Sequence, residues 1–284
     1  EGLKAERGTD GQVRLFRPQR NAARFQASAE RLAMPPFPVE RFLAAVAGLI
    51  RREHALVPPA GKGAFYVRPM LHAVEPMLGL TRARQFAVTM YGAPVGAYFN
   101  KASGVHLKAV AMARVAPGGT GAAKAMGNYP GVTVTKEAAM REGFDDVLFG
   151  DGEGAGQIGE ASGANFFTVM EDGELVTPPL DDTILAGITR ESVIELARDE
   201  GLRVSERPLP LAEVLARGRE AFCTGTAWSL RSVASISGAA GRVDFGEPQI
   251  APTLLGALRR IQTGDAVDPR GWAVPVMMDE GDTL

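Results

Sequence analysis

The chain has 284 residues, 45% of them hydrophobic, a formal net charge of −2 at pH 7, and one cysteine, Cys223. That balance leaves no electrostatic footprint for nucleic acid or an anionic membrane, and no run of about eighteen apolar residues is present to span a bilayer. A lone thiol excludes an internal disulfide and suits a reducing cytosol, and His54, His72 and His106 with Cys223 offer no metal-ligand spacing.

The sequence opens at Glu1 in EGLKAERG, without a methionine, and reads as the middle of a longer protein with residues upstream. GLKAER and QVRLFR flank Thr9-Asp10-Gly11 and predict two strands about a turn. A helix is expected near Ala22–Leu32. Another is expected from Val39 to about Ala55, with Phe42, Val46, Leu49 and Ile50 on one face, beyond the break at Met34–Pro36. Ala64–Pro69 and Gln85–Met90 alternate like strands of a common sheet, so residues 1–91 are expected to form a small α/β domain lacking its first part. Gly92 to Tyr98 carries glycines and a proline, and 92–104 is expected to be the interdomain loop, with 105–284 the larger domain.

In that larger part VHLKAVAMARVA is strand-like and leads into PGGTGAAKAMGNYPG. A helix over Thr133–Arg141 and a strand over DVLFGD follow. GAGQIG, from Gly154 to Gly159, matches a dinucleotide fingerprint but leads into strand-like ANFFTV and opens no helix, which argues against that use. ANFFTVMEDGELVTPP predicts a hairpin turning at Asp172-Gly173, Thr189–Glu200 a helix, LRVSERPL a strand, and Thr253–Gln262 a last helix. The mixture fits an α+β chain of two domains.

The chemistry gathers around Lys124. Small neighbours let a planar ligand lie against backbone, a lysine confined there can act as an amine nucleophile, and Tyr129 can hydrogen-bond a ring oxygen. These are the needs of a Schiff base to pyridoxal phosphate. The stretch is not a Walker A loop, since no Ser or Thr follows Lys124; a solvated glycine turn with a surface lysine stays open on spacing alone. Glu160 is the candidate acid for a pyridine nitrogen, or else an ordinary loop glutamate. Gly187-Ile188-Thr189 leads into a helix and suits an anion, although Thr189 is equally a plain cap. Gly225-Thr226-Ala227 offers a hydroxyl and close backbone approach, and Arg24 could close a phosphate from another side.

The blocks EGLKAERG, RLFRP, FYVRP, EPMLGL, PVGAYF, GGTGAAKAMGNY, TPPLDDTILAGITR, VSERPL and TGTA, in this order, resemble the branched-chain amino acid aminotransferases. The resemblance covers nearly the whole chain. It implies a fold-type IV pyridoxal phosphate enzyme with a small N-terminal α/β domain and a larger C-terminal pseudo-barrel domain. By that resemblance Lys124 holds the cofactor and moves the proton, Tyr129 meets the phenolic oxygen and Glu160 the ring nitrogen. Arg24, Ile188, Thr189 and Thr226 bind the phosphate, Gly187 and Gly225 also belong to the cofactor site, and Gly225-Thr226-Ala227 lies where the α-carboxylate approaches. Tyr66, Arg68, Tyr98, Thr226 and Ala227 shape the substrate side, with Arg68 able to meet a glutamate side chain. Leu78 and Leu80 reach into a partner's site, which implies a homodimer acting on small amino acids and 2-oxo acids. Met126 stands where the family commonly has glycine. Trp228 and Arg231 occupy the places of a thiol pair found in mammalian members, so no thiol switch is expected. D-amino acid aminotransferase and aminodeoxychorismate lyase share the lysine, glutamate and phosphate pieces but lack the EGLKA opening, the EPMLGL loop and the GGTG lead-in. A silent binding protein on the same fold is the reading from another class.

Overall fold

The computed structural model describes residues 1–98, 103–152 and 156–277. The chain forms two compact units, Glu1–Tyr98 with Arg259–Leu284, and Phe99–Leu258.

In the first unit β1 (Leu3–Arg7) and β2 (Val13–Phe16) pair antiparallel. Their turn places Gly11 at φ 80°, a conformation open to glycine. Helix α1 (Pro18–Arg31) starts earlier than the expected Ala22, because a proline in the first turn has its φ already set and no N–H to strand. Helix α2 (Val39–Arg52) turns Phe42, Val46 and Ile50 inward as the spacing predicts. A long hairpin follows, β3 (Ala64–Ala73) with β4 (Phe86–Val95). Period-two alternation puts Leu3, Ala5, Val13, Leu15, Phe65 and Val67 on one sheet face, where they form a core with Phe25, Phe42, Val46 and Ile50. The opposite face carries Lys4, Tyr66 and Arg68, with Lys4 directly across from Tyr66.

Two features differ from the expected domain limits. β4 runs on through Gly92–Val95, where a loop was expected. A Cβ on Gly92 would lie 2.5 Å from the Phe65 ring, so this glycine serves close packing within the strand and does not break it. Pro94 is tolerated because β4 lies at the sheet edge. Residues from Arg259 group with the first unit and not with the second, because a late strand, Ala273–Pro275, adds to the free edge of β2.

The second unit begins with β5 (Val105–Ala113), α3 (Tyr129–Arg141), β6 (Asp146–Gly150), β7 (Ile158–Ala161) and β8 (Asn165–Met170). It continues with β9 (Leu175–Thr177), α4 (Ile188–Asp199), β10 (Val204–Glu206) and α5 (Leu211–Arg217). Then come β11 (Gly218–Gly225), β12 (Ser229–Gly238), β13 (Gly241–Asp244) and α6 (Ile250–Thr263), which counts with this unit as far as Leu258. The sheet order is β10-β9-β8-β11-β12-β5-β6-β7, and a further pairing of β7 with β8 closes six of these strands into a ring. This larger sheet has the pseudo-barrel form that the resemblance implies, and the sheet of the first unit is the small antiparallel one. Its interior holds Val105, Leu107, Leu148, Phe166, Ala221, Cys223, Val233 and Ile236, among others. The GAGQIG match feeds β7 and not a helix, as expected; its Gly154 lies outside the described residues.

Candidate active site

The segment after β5 is tied down by its own side chains and by a neighbouring loop. Asn128 Nδ2 donates to the carbonyls of Thr120 at 2.8 Å and Ala123 at 3.0 Å, and Thr120 Oγ1 donates to Asn128 Oδ1 at 2.6 Å. The Gly118 N–H donates to the Asp182 carboxylate. A Cβ on Gly121 would lie 2.5 Å from Thr183 Cα, so only glycine lets the two loops touch there. In this frame Lys124 Nζ donates to the Tyr129 hydroxyl at 3.3 Å, Tyr129 being the first residue of α3.

Glu160 sits on β7 across from Asn165 of β8. Its Oε2 accepts from Asn165 Nδ2 at 3.0 Å, and its Oε1 accepts from the Leu185 N–H at 3.2 Å and pairs with Arg114 Nη2 at 2.6 Å. Burial pushes this carboxyl up to about 7, although Arg114, the Leu185 N–H and Lys124 each pull it down. A loop glutamate would show none of this. Arg114 was not singled out from the sequence. Only its place at the end of an apolar strand run, just ahead of the glycines, could have marked it. Its Nη2 also reaches the carbonyls of Gly121 and Thr183, both at 3.1 Å, and its Nε is buried without a partner.

Asn165 donates as well to the Leu185 carbonyl at 2.9 Å, which shapes the approach to α4. The cap of α4 is Gly187, and no side chain bonds there, so Thr189 lies inside the helix and is not its cap. The open N–H groups and positive dipole end at Ile188 and Thr189 suit an anion. A Cβ on Gly187 would fall 2.0 Å from Asn165 Oδ1. Gly225 ends β11, where a Cβ would lie 3.1 Å from the Gly163 carbonyl, and half-buried Thr226 and Ala227 follow it. Within one unit, then, an amine, a phenol, a buried carboxylate and an uncapped helix start come together. They suit a planar ligand bearing an aldehyde, a basic ring nitrogen and a phosphate.

Arg24, Tyr66, Arg68, Leu78, Leu80 and Tyr98 belong to the first unit. Arg24 of α1 grips the Glu1 carboxylate twice, Nε to Oε2 at 3.0 Å and Nη2 to Oε1 at 2.7 Å. The Arg68 guanidinium lies 5.1 Å from the centre of the Tyr66 ring, and its Nη1 donates to the Glu1 carbonyl at 3.4 Å. Leu78 and Leu80, between β3 and β4, are as exposed as in an extended peptide, at 107% and 106%, and Tyr98 is exposed. Met126 is exposed beside the lysine segment. Cys223 is buried, and burial pushes its thiol well above the usual range.

The amino-transferase class IV family model matches residues 1–236. The methionine aminotransferase BCAT4 of Arabidopsis thaliana is 40% identical over 279 residues, covering 97% of this chain and 78% of that protein. The mitochondrial branched-chain amino acid aminotransferase 1 of Humulus lupulus is 39% identical over 280 residues, covering 97% and 71%. Among solved structures, the branched-chain amino acid aminotransferase of Thermobaculum terrenum in its PLP-bound holo form aligns with a TM-score of 0.82 at 26% identity, covering 98% of this chain and 89% of that one.

Proposed function

Because the chain belongs to the class IV aminotransferases, we propose that it is a branched-chain amino acid aminotransferase working with pyridoxal 5′-phosphate. It moves an amino group reversibly between L-leucine, L-isoleucine or L-valine and 2-oxoglutarate, in a ping-pong cycle. The observation that carries this reading is the Lys124–Tyr129 contact in the same unit as the buried Glu160–Arg114 pair. When bound, the cofactor supplies an aldehyde for an amine and a ring that accepts the electrons left when Cα loses its proton.

Lys124 would supply the amine that holds the aldehyde and, once the substrate's own amino group has displaced it, would be free to take the Cα proton. Tyr129 donates to the ring oxygen. Glu160 holds a proton on the ring nitrogen, and Arg114 favours the charged carboxylate needed for that pairing. Gly187, Ile188 and Thr189 receive the phosphate through the α4 start, with Gly225 and Thr226 beside it. Arg24 closes the phosphate from another side. Tyr66, Arg68, Tyr98 and Ala227 shape the substrate side; Arg68 meets the distal carboxylate of glutamate while the apolar walls take an aliphatic chain. Leu78 and Leu80 complete the site of a second copy, so the working form is a homodimer. Among the described residues no helix is long and apolar enough to cross a membrane. The cytosol is the proposed compartment, argued from the single cysteine.

A visible spectrum of the purified protein loaded with cofactor tests this. An absorption band that L-leucine bleaches is the expected result. A band that responds to D-alanine and not to L-leucine moves the chain to its D-amino acid relatives, and full biological activity in Lys124→Ala would make it a silent binding protein. L-Methionine belongs in the same test, since a thioether chain differs little in bulk from leucine and pockets discriminate such pairs weakly.

A further inference from the structure

Asp146, the first residue of β6, is wholly buried and none of the roles above uses it. Its Oδ2 accepts from Lys136 Nζ at 2.7 Å and from Ser162 Oγ at 2.8 Å, and its Oδ1 accepts from the Val147 N–H at 2.7 Å. A buried carboxylate persists only when paired and hydrogen-bonded, and its partners are then held in a narrow geometry.

Helix α3 needs such a tether. It has 13 residues and buries only Val132 and Ala139, against a small cluster with Val147 and Phe149. So little apolar contact leaves rotation and sliding of the helix weakly specified. Lys136 lies about two turns beyond Tyr129, so its bond to Asp146 fixes both. Asn128, just ahead of α3, holds the carbonyls of Thr120 and Ala123, so the lysine segment follows the helix. The same Asp146 Oδ2 also accepts from Ser162, which lies in the turn between β7, the strand of Glu160, and β8, which begins at Asn165.

We infer that Asp146 is a positioning residue: by binding Lys136 and Ser162 together, it keeps Tyr129 and Lys124 in register with Glu160. The inference rests on the cofactor-holding roles proposed for those three residues. One carboxylate then sets the spacing between the groups that meet the ring oxygen, the aldehyde and the ring nitrogen.

The test is amide hydrogen exchange on the cofactor-free protein, followed by pyridoxal phosphate binding. In Lys136→Met, exchange at the Ala123 and Asn128 amides, which bond Thr120 and Ala125, should quicken roughly tenfold while the amides of β11 keep their rates. Pyridoxal phosphate should then bind roughly tenfold more weakly, and Lys136→Arg should restore both. In Ser162→Ala the Leu185 amide, bonded to Glu160, should quicken in the same way. Lower melting temperature with wild-type exchange at Ala123, Asn128 and Leu185 would overturn the inference. If Lys136→Met does not fold, Ser162→Ala decides alone. Wild-type protein that binds no pyridoxal phosphate would sink the proposed function, whereas the exchange rates still decide the coupling.

Discussion

Arg114 Nη2 lies 2.6 Å from Glu160 Oε1, and the two side chains are only 8% and 6% exposed. The same nitrogen touches the carbonyls of Gly121 and Thr183. One arginine therefore joins the acid of the site, the loop that leads to Lys124 and the loop that leads to α4.

Arg114→Met should raise the Glu160 carboxyl above its value of about 7, because the largest opposing charge is removed. Carbon NMR of the glutamate carboxyl in cofactor-free protein reads this directly. A titration at or below the wild-type midpoint would mean that Arg114 does not act on Glu160.

The same carboxyl makes a pH prediction. Its value rises from 4.5 in the unfolded chain to about 7 in the fold, so between those values the folded state holds the extra proton. Stability then falls as pH rises through that window and levels off above it, a loss on the order of 3 kcal/mol. Glu160→Gln should flatten this part of the stability profile of the cofactor-free protein. Denaturation midpoints at pH 5 through 8 check it, and parallel profiles for the two proteins would count against the assignment.

Gly187→Ala should weaken cofactor binding by roughly tenfold or more, through Asn165. The backbone at Gly187 has φ −72°, which alanine adopts freely, so space and not strain is the cause. The added methyl carbon would sit 2.0 Å from Asn165 Oδ1 and force off the side chain that holds Glu160. Fluorescence titration with pyridoxal phosphate measures the change; unchanged affinity would mean that Asn165 does not support cofactor binding through Glu160.

Arg68→Ala should harm the half-reaction with glutamate more than the one with leucine, since only glutamate brings a second carboxylate to be matched. Single-turnover rates for the two amino acids separate the cases. Equal damage to both would make Arg68 a structural partner of Tyr66 and Glu1.

Glu220 of β11 accepts the N–H groups of Gln249, Ile250 and Ala251 at 2.9, 3.0 and 2.6 Å, and so caps the start of α6. Glu220→Ala should cost about 2 kcal/mol of stability, because three backbone donors at the helix start, the Ala251 N–H among them buried, lose their acceptor. Urea denaturation provides the check, and a loss within about 0.5 kcal/mol would show that water replaces the carboxylate.

The sequence by itself determined the family and the strand and helix pattern of most of the chain, and it singled out Lys124, Tyr129 and Glu160 as the candidates for the chemistry. Those features rest on local signals: glycine spacing, apolar periodicity, and blocks in a set order. Periodicity also placed Phe42, Val46 and Ile50 inward, because a helix face needs no distant partner to be recognised. What only the tertiary structure decided depends on contacts between segments far apart in the chain. Gly92 looked like a breaker until the Phe65 ring proved to fill the space of its side chain. Ala273–Pro275 carries too short a pattern to be read, and becomes a strand because the edge of β2 lacks a partner. Arg114 and Asp146 were silent in the sequence for the same reason. A charged residue on an apolar strand acquires a role only when folding brings Glu160, Lys136 or Ser162 against it and removes the water that would otherwise weaken the bond.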